Sequence, residues 1–151
     1  MEIREGGLDE PQVVVILEQH FQAMLANSPA GSCHFLDRSG LRAQGVSFWT
    51  AWDGDDVLGV IALKELDPEH GEIKSMRTAA QHLRRGTGAA LLSHILATAR
   101  ARGYRRLSLE TGSSPAFEPA IALYRQFGFT DSPPFAAYTE DPFSRFLSRV
   151  L

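Results

Sequence analysis

Between Gly71 and Leu92 the chain reads Gly-Glu-Ile-Lys-Ser-Met-Arg-Thr-Ala-Ala-Gln-His-Leu-Arg-Arg-Gly-Thr-Gly-Ala-Ala-Leu-Leu, and its clearest chemistry lies here. Arg84, Arg85, Gly86, Thr87 and Gly88 set two cations and two glycines immediately before an apolar helical pattern. A side chain at 86 or 88 would keep a ligand from the backbone, and glycine removes it. The first N–H groups of a helix have no internal partner, and the helix dipole adds partial positive charge there. Two arginines beside such a helix start make an anion site, and a phosphate-bearing ligand is its natural occupant.

Other residue types in the chain can move protons. Glu72 opens the strand that leads into this turn, and Tyr124 lies on a later amphipathic helix. Taken alone, Glu72 is a solvated strand-end carboxylate and Tyr124 a core aromatic. His34 sits in a long loop, and a histidine titrates near neutrality. Glu110 faces the same side of its strand as Ser108, where a carboxylate can recognise a cation. Cys33, the single cysteine, carries no mark of activation. Asp53 to Asp56 lacks the ligand series of a calcium loop and reads as a turn. Trp49 and Trp52 fall on opposite strand faces, as core and surface packing.

The elements that position these groups follow from periodicity and punctuation. Residues 2–5 form an opening strand, closed by Gly6 and Gly7. Asp9 stands at an N-cap with Pro11 in the first turn, and Val13, Ile16, Leu17, His20, Phe21 and Met24 recur at helical spacing over 10–26. Residues 27–45 are a loop with a helical turn near Asp37 to Arg42, and a loop this long is often functional. Strands at 46–52 and 57–63 flank an Asp-Gly turn and make a hairpin. In the strand at 71–78, alternation puts Glu72, Lys74, Met76 and Thr78 on one face and Ile73, Ser75 and Arg77 on the other. A helix runs from near Gly86 to Gly103 with Leu91, Leu92, Ile95, Leu96 and Ala99 inward. A strand at 105–111 carries Leu107 and Leu109 on one face. A helix follows at 117–127, then strands at 134–138 and 143–150. Strands outnumber helices and come partly as hairpins, so the class is α/β (α+β) with a mixed sheet.

The 151 residues are expected to fold as one domain, 1–151, burying about two-thirds of the unfolded chain's surface. A net charge of −3 gives no general attraction to nucleic acid or anionic membrane, so neither is an expected partner. One cysteine permits no internal disulfide and no multi-cysteine zinc site, and no metal is expected. The charged start Met-Glu-Ile-Arg-Glu has no signal-like apolar core, and Val13 to Leu17 is far short of a membrane span. The expectation is a soluble, cytoplasmic protein.

The order of elements, the turn Arg84-Arg-Gly-Thr-Gly-Ala and the segment Ala120-Ile-Ala-Leu-Tyr-Arg-Gln-Phe-Gly-Phe129 together resemble the GNAT superfamily of acyl-CoA-dependent N-acetyltransferases. The likeness covers nearly the whole chain, is strongest over 71–129, and is greatest to small single-domain bacterial members. It implies a mixed sheet of six to seven strands whose fourth and fifth members, here 71–78 and 105–111, splay apart to hold acetyl-CoA. Backbone of Met76, Arg77 and Thr78 would pair with the pantetheine arm. The N–H groups from Arg85 through Gly86, Thr87 and Gly88 to Ala89 would cradle the pyrophosphate, with Arg84 beside them. Leu83 and Phe117 depart from residues that members usually carry.

Transfer to an amine needs the ammonium to lose a proton, the thioester oxygen to be stabilised, and the leaving thiolate to be protonated. Tyr124 matches the family's tyrosine acid, and Glu72 is similar in placement to a glutamate base. The oxyanion would take a backbone N–H near Met76. His34 and Glu110 are candidates for the acceptor side. The implied reaction moves acetyl from acetyl-CoA to a primary amine, small molecule or peptide, directly within a ternary complex. Dimers are common among relatives, so a homodimer is an assembly the resemblance allows. The rival reading is a non-catalytic acyl-CoA sensor, which would need neither Tyr124 nor Glu72. A Rossmann fingerprint fails because its third glycine falls at Leu91 and the chain lacks a tandem βαβ pattern.

Overall fold

The computed structural model describes residues 1–32, 34–83 and 85–151. Among these residues seven strands form one sheet: β1 (Glu2–Glu5), β2 (Val46–Asp53), β3 (Asp56–Asp67), β4 (His70–Thr78), β5 (Arg106–Gly112), β6 (Thr130–Asp131) and β7 (Ser144–Val150). Their spatial order is β1-β2-β3-β4-β5-β7-β6. The helices are α1 (Pro11–Asn27), the single turn α2 (Arg38–Leu41), α3 (Thr87–Ala101) and α4 (Glu118–Gln126). Every strand pair is antiparallel except β4 with β5. The expected mixed α/β sheet is present, and its one parallel pair is where the molecule opens. Among the described residues no helix is long and apolar enough to cross a membrane.

Two apolar clusters sandwich the sheet. Leu91, Leu92, Ile95, Leu96 and Ala99 of α3 pack with Trp49, Ile61, Leu63, Leu107, Leu109 and Tyr124 on one face. Val13, Ile16, Leu17 and Phe21 of α1 pack with Phe48, Trp52, Val60 and Ala62 on the other. Alternation along β2 thus sends Trp49 and Trp52 into different cores. Both indoles are buried, so the expectation of a surface tryptophan is corrected. α1 begins one residue later than expected, with Glu10 rather than Asp9 at its cap. Asp9 instead meets the guanidinium groups of Arg38 and Arg42, tying α2 to the start of α1.

The parting of β4 and β5 is the feature that makes room for a site. The two strands pair only from His70 with Arg106 to Glu72 with Ser108. Beyond Glu72, β4 stays bonded to β3 and β5 stays bonded to β7, so each arm is held by its outer neighbour. Inside the arm formed by β4 lies a bulge. Val60 pairs with Arg77 and Ala62 with Lys74, so β4 spends one residue more than β3 over this stretch, and Ser75 takes a φ of 56°. The strict alternation expected for 71–78 therefore fails. Met76 packs against the same core as Ile73, rather than sharing a face with Glu72. A left-handed serine costs of order 1–3 kcal/mol, a strain that the β3 pairing on either side of the bulge holds in place.

The start of α3 is brought against this arm by Gly59. A Cβ there would stand 2.9 Å from the Arg77 carbonyl oxygen and 2.9 Å from Thr87 Cγ2. Gly59→Ala is expected to cost about 1–3 kcal/mol through overpacking, because one neighbour is backbone and cannot yield. Urea unfolding read by tryptophan fluorescence checks this, and an unchanged midpoint would show that α3 has slack at its first turn.

Residues 134–138 do not form the expected strand. Ala136 sits at φ 52°, the Tyr138 N–H closes a turn on the Phe135 carbonyl, and the strand before β7 is the short Thr130–Asp131. Consecutive prolines at 133 and 134 remove two ladder donors, which favours a turn over a strand. The aromatic residues of this loop fold inward. Phe135, Tyr138 and Phe146 pack with ring centroids 5.1 to 6.0 Å apart.

Candidate active site

A cavity of about 90 Å³ fills the gap between β4 and β5 and reaches both faces of the sheet. His20 and Met24 line it from α1, Tyr124 and Ala120 from α4, and the segment from Glu72 to Met76 forms its floor. Next to it lies an open groove of about 400 Å³, bounded by Lys64, Tyr138, Thr139 and Asp141. Loops 27–45 and 132–143 wall this groove and are latched together, since Asp141 accepts a bond from Ser32 Oγ and another from the Phe143 N–H.

Tyr124 is 7% exposed, its ring edge-on to Phe129, with its side chain toward the cavity. Burial raises its phenol well above the ordinary range, so it stays protonated throughout neutral and mildly alkaline solution. That is the state an acid needs. The chain places Tyr124 here by helical spacing, with Ile121 one turn earlier buried on the same face.

Glu72 is the last β4 residue paired to β5 and is only 2% exposed, not a solvated strand end. Its Oε2 accepts a hydrogen bond from the Tyr138 hydroxyl at 2.7 Å and lies 3.4 Å from Lys74 Nζ. Lys74 in turn donates to the Tyr138 oxygen at 2.9 Å. A buried carboxylate is tolerable only with such partners. Burial, and then the neighbouring Glu72 charge, raise the Tyr138 phenol far beyond its usual range, so it remains a donor. Lys74 and Tyr138 were not singled out in the sequence. Lys74 follows Glu72 by two residues on one strand face and was open to inference, whereas Tyr138 arrives from a loop 66 positions away.

On the opposite arm, Glu110 is buried with its Oε2 3.5 Å from His34 Nδ1. Burial raises the Glu110 carboxyl, while the charge of His34 beside it acts in the opposite direction. The structure thus brings together Tyr124, Glu72, His34 and Glu110 around one cavity. His20 joins them. Its Nδ1 is buried without a partner, and burial with Arg77 nearby pushes its pKa down to about 4. On sequence it was one more member of the apolar stripe of α1, since nothing in helical spacing reveals that the stripe borders an opening in the sheet.

The turn before α3 lies on the β4 side. Gly86 holds φ 78° as the residue before α3, and the first ladder bond runs from the Ala90 N–H to the Gly86 carbonyl. The N–H groups of Thr87, Gly88 and Ala89 precede that bond and have no partner within the helix. Thr87 Oγ1 is buried without a hydrogen bond. Gly86 has open space where a side chain would be, but at Gly88 a Cβ would stand 2.8 Å from Leu123 Cδ2. The second glycine therefore also admits the Leu123 side chain of α4. Arg84 and Cys33 lie outside the described residues.

Known proteins resemble this chain in sequence and in fold. The acetyltransferase (GNAT) family pattern matches residues 15–129. The uncharacterized N-acetyltransferase YsnE of Bacillus subtilis is 50% identical over 151 residues, covering all of both chains. YedL of Escherichia coli, also an uncharacterized N-acetyltransferase, is 47% identical over 99% of this chain and 94% of its own. IAA acetyltransferase of Azospirillum brasilense is 37% identical over 98% and 95%. A crystal structure from Klebsiella pneumoniae superposes with a TM-score of 0.81 at 27% identity, covering 99% of this chain and 97% of that one. A GNAT acetyltransferase from Elizabethkingia anophelis, solved with acetyl-CoA bound, shares the fold with a TM-score of 0.68 at 18% identity, over 99% and 97%. With the family pattern across most of its length and full-length N-acetyltransferase relatives at half identity, this chain belongs to the GNAT family of acyl-CoA-dependent N-acetyltransferases.

Proposed function

We propose that the chain moves an acetyl group from acetyl-CoA to a primary amine by direct transfer within a ternary complex. The observation that carries this reading is the gap between β4 and β5 beyond Glu72, with Tyr124 at its side and unpartnered helix N–H groups at its β4 end. The residues suit the cofactor. Backbone of Met76, Arg77 and Thr78 faces the gap with no β5 partner and is suited to the pantetheine amides. The N–H groups of Arg85, Gly86, Thr87, Gly88 and Ala89 suit the pyrophosphate, and the unpaired Thr87 Oγ1 marks polar capacity left open there. When bound, acetyl-CoA supplies an activated acyl group and a thiolate leaving group.

Around it the protein's own groups divide the work. The bulge at Ser75 turns the β4 backbone so that an N–H near Met76 can serve as oxyanion donor. Tyr124, held protonated, is the acid for the departing sulfur. Glu72, bonded to Tyr138 and paired with Lys74, presents a carboxylate that attracts and orients an ammonium entering from the outer groove. The acceptor's identity rests on the loops over that groove.

Thiol release from acetyl-CoA, measured against amino acids, polyamines, aminoglycosides and short peptides, tests the reading. IAA is included because a relative is named for it. Release with at least one amine, together with acetyl-CoA binding by calorimetry, is the expected result. Binding with no release across the panel would favour the acyl-CoA sensor, and no binding would overturn both.

A further inference from the structure

His34 and Glu72 are the two described residues that line both the inner cavity and the outer groove. A group that takes a proton from an incoming amine and returns it to water belongs at that junction. Glu72 is already committed. To accept a proton it would weaken a charge-assisted bond from Tyr138 and leave the Lys74 ammonium, 9% exposed, beside a neutral acid. His34 has no such commitment. Its side chain is 36% exposed, and its Nδ1 stands 3.5 Å from the buried Glu110 carboxylate.

We propose that His34 is the proton acceptor for the amine, with Glu110 as the positioning residue that faces its Nδ1–H and stabilises the imidazolium. The inference rests on the acetyl-transfer reading above. The arrangement uses general chemistry: a carboxylate on one ring nitrogen fixes the tautomer and leaves the other nitrogen bare. Nδ1–H toward Glu110 leaves Nε2 as the acceptor. One proton of the ammonium passes to Nε2 and then to water in the outer groove. The freed nitrogen pair forms the bond to the acyl carbon as the carbon–sulfur bond breaks. Tyr124 gives its proton to the sulfur, and the second proton lost by nitrogen restores the phenol.

The charges around His34 favour this role. Glu110 faces it from β5, Lys74 and Glu72 from β4, Tyr138 and Asp141 from the β6–β7 loop, and His20 lines the same cavity from α1. Lys74 is neutralised by Glu72, Asp141 is bonded to Ser32 and Phe143, and His20 is held uncharged. That leaves Glu110, 3.5 Å away, as the carboxylate facing the ring nitrogen, and an imidazolium there favours its ionised form against the effect of burial.

Two measurements decide the matter, and the first needs no acceptor. In long-range 1H–15N spectra of the full-length labelled chain, with His34→Gln identifying the resonance, His34 is expected at pH 8 as the Nδ1–H tautomer. Glu110→Gln should weaken the preference for that tautomer, because it removes the carboxylate that faces Nδ1. An Nε2–H tautomer in wild type, or a tautomer balance indifferent to Glu110→Gln, overturns the pair. The second is the pH profile of kcat/KM with acetyl-CoA and either n-propylamine or hydroxylamine, the latter uncharged at neutral pH. His34→Gln should lower the propylamine rate about 10²-fold and flatten the acidic limb, while costing the hydroxylamine reaction only a few-fold. A merely structural role would slow both alike. An acidic limb that survives His34→Gln but disappears in Glu72→Gln would assign the proton to Glu72 and overturn the proposal. If wild type transfers to neither amine, it is the acetyl-transfer reading that these probes count against, and the spectra still decide the His34–Glu110 pair.

Discussion

Tyr124→Phe is expected to lower kcat about 10²-fold while leaving the affinity for acetyl-CoA within a few-fold of wild type. The substitution removes one oxygen from a ring that keeps its place against Phe129 and the core on the α3 side. Packing is conserved, so the unfolding midpoint should barely move. The phenol is raised by burial above any ordinary assay pH, which means wild type loses none of its acid until strongly alkaline conditions. The pH profile of wild type should therefore show no basic limb from Tyr124 below about pH 10. Pre-steady-state thiol release separates the step: a slow chemical phase with normal cofactor binding places the loss at sulfur protonation. Equal turnover in the variant would mean that water or the amine's own proton serves the leaving thiolate, and Tyr124 would revert to core packing.

Much of this was legible in the chain because the signals are local. The apolar stripe of α3 and the Asp-Gly hairpin of β2 and β3 came out where periodicity and turn chemistry put them, and Gly103 and Gly128 follow their helices at positive φ. The resemblance supplied the parting of β4 and β5, which alternation alone cannot reveal. What escaped is non-local or conformational. Ser75 carries no residue-type warning of a left-handed backbone, yet its bulge decides which side chains of β4 face the cavity. Tyr138 comes from a proline-rich loop read as a strand, and it changes Glu72 from a free carboxylate into a held one. His20 lies on the inward face of α1 as its spacing requires, but the cavity it also lines, like the contact between Gly88 and Leu123, depends on packing that spacing does not reveal.

These misses share a consequence for mechanism. With only the motif in hand, a glutamate at the head of β4 is the natural base, and a histidine in a long loop is incidental. In three dimensions the glutamate is buried, bonded and salted by a lysine, while the histidine stands at the mouth of the cavity with a carboxylate behind it. Two carboxylates, one in each arm of the opening, thus have different partners and are suited to different work: Glu72 to hold a cation in place, Glu110 to support a proton in transit.

Gly86→Asp should weaken acetyl-CoA binding by at least about 10²-fold, close to 2.7 kcal/mol, with little change in fold stability. Open space surrounds the would-be Cβ, so no neighbour is displaced. The positive φ of 78° penalises any side chain, but aspartate tolerates this region better than most residues, and a carboxylate gains from the N-terminus of α3. Those opposing contributions nearly cancel in the folded protein. They do not cancel for the ligand, because the new charge stands among the N–H groups proposed to receive the pyrophosphate, and like charges meet in a partly dehydrated site. Gly86→Ala is the control: it carries a backbone penalty at least as large without the charge, and should lose only a few-fold. Calorimetry at low and high salt completes the test, since screening should recover part of the loss in Gly86→Asp and none in Gly86→Ala. Unchanged affinity in Gly86→Asp would show that the phosphates lie elsewhere, and the site would have to be rebuilt from the β5 arm.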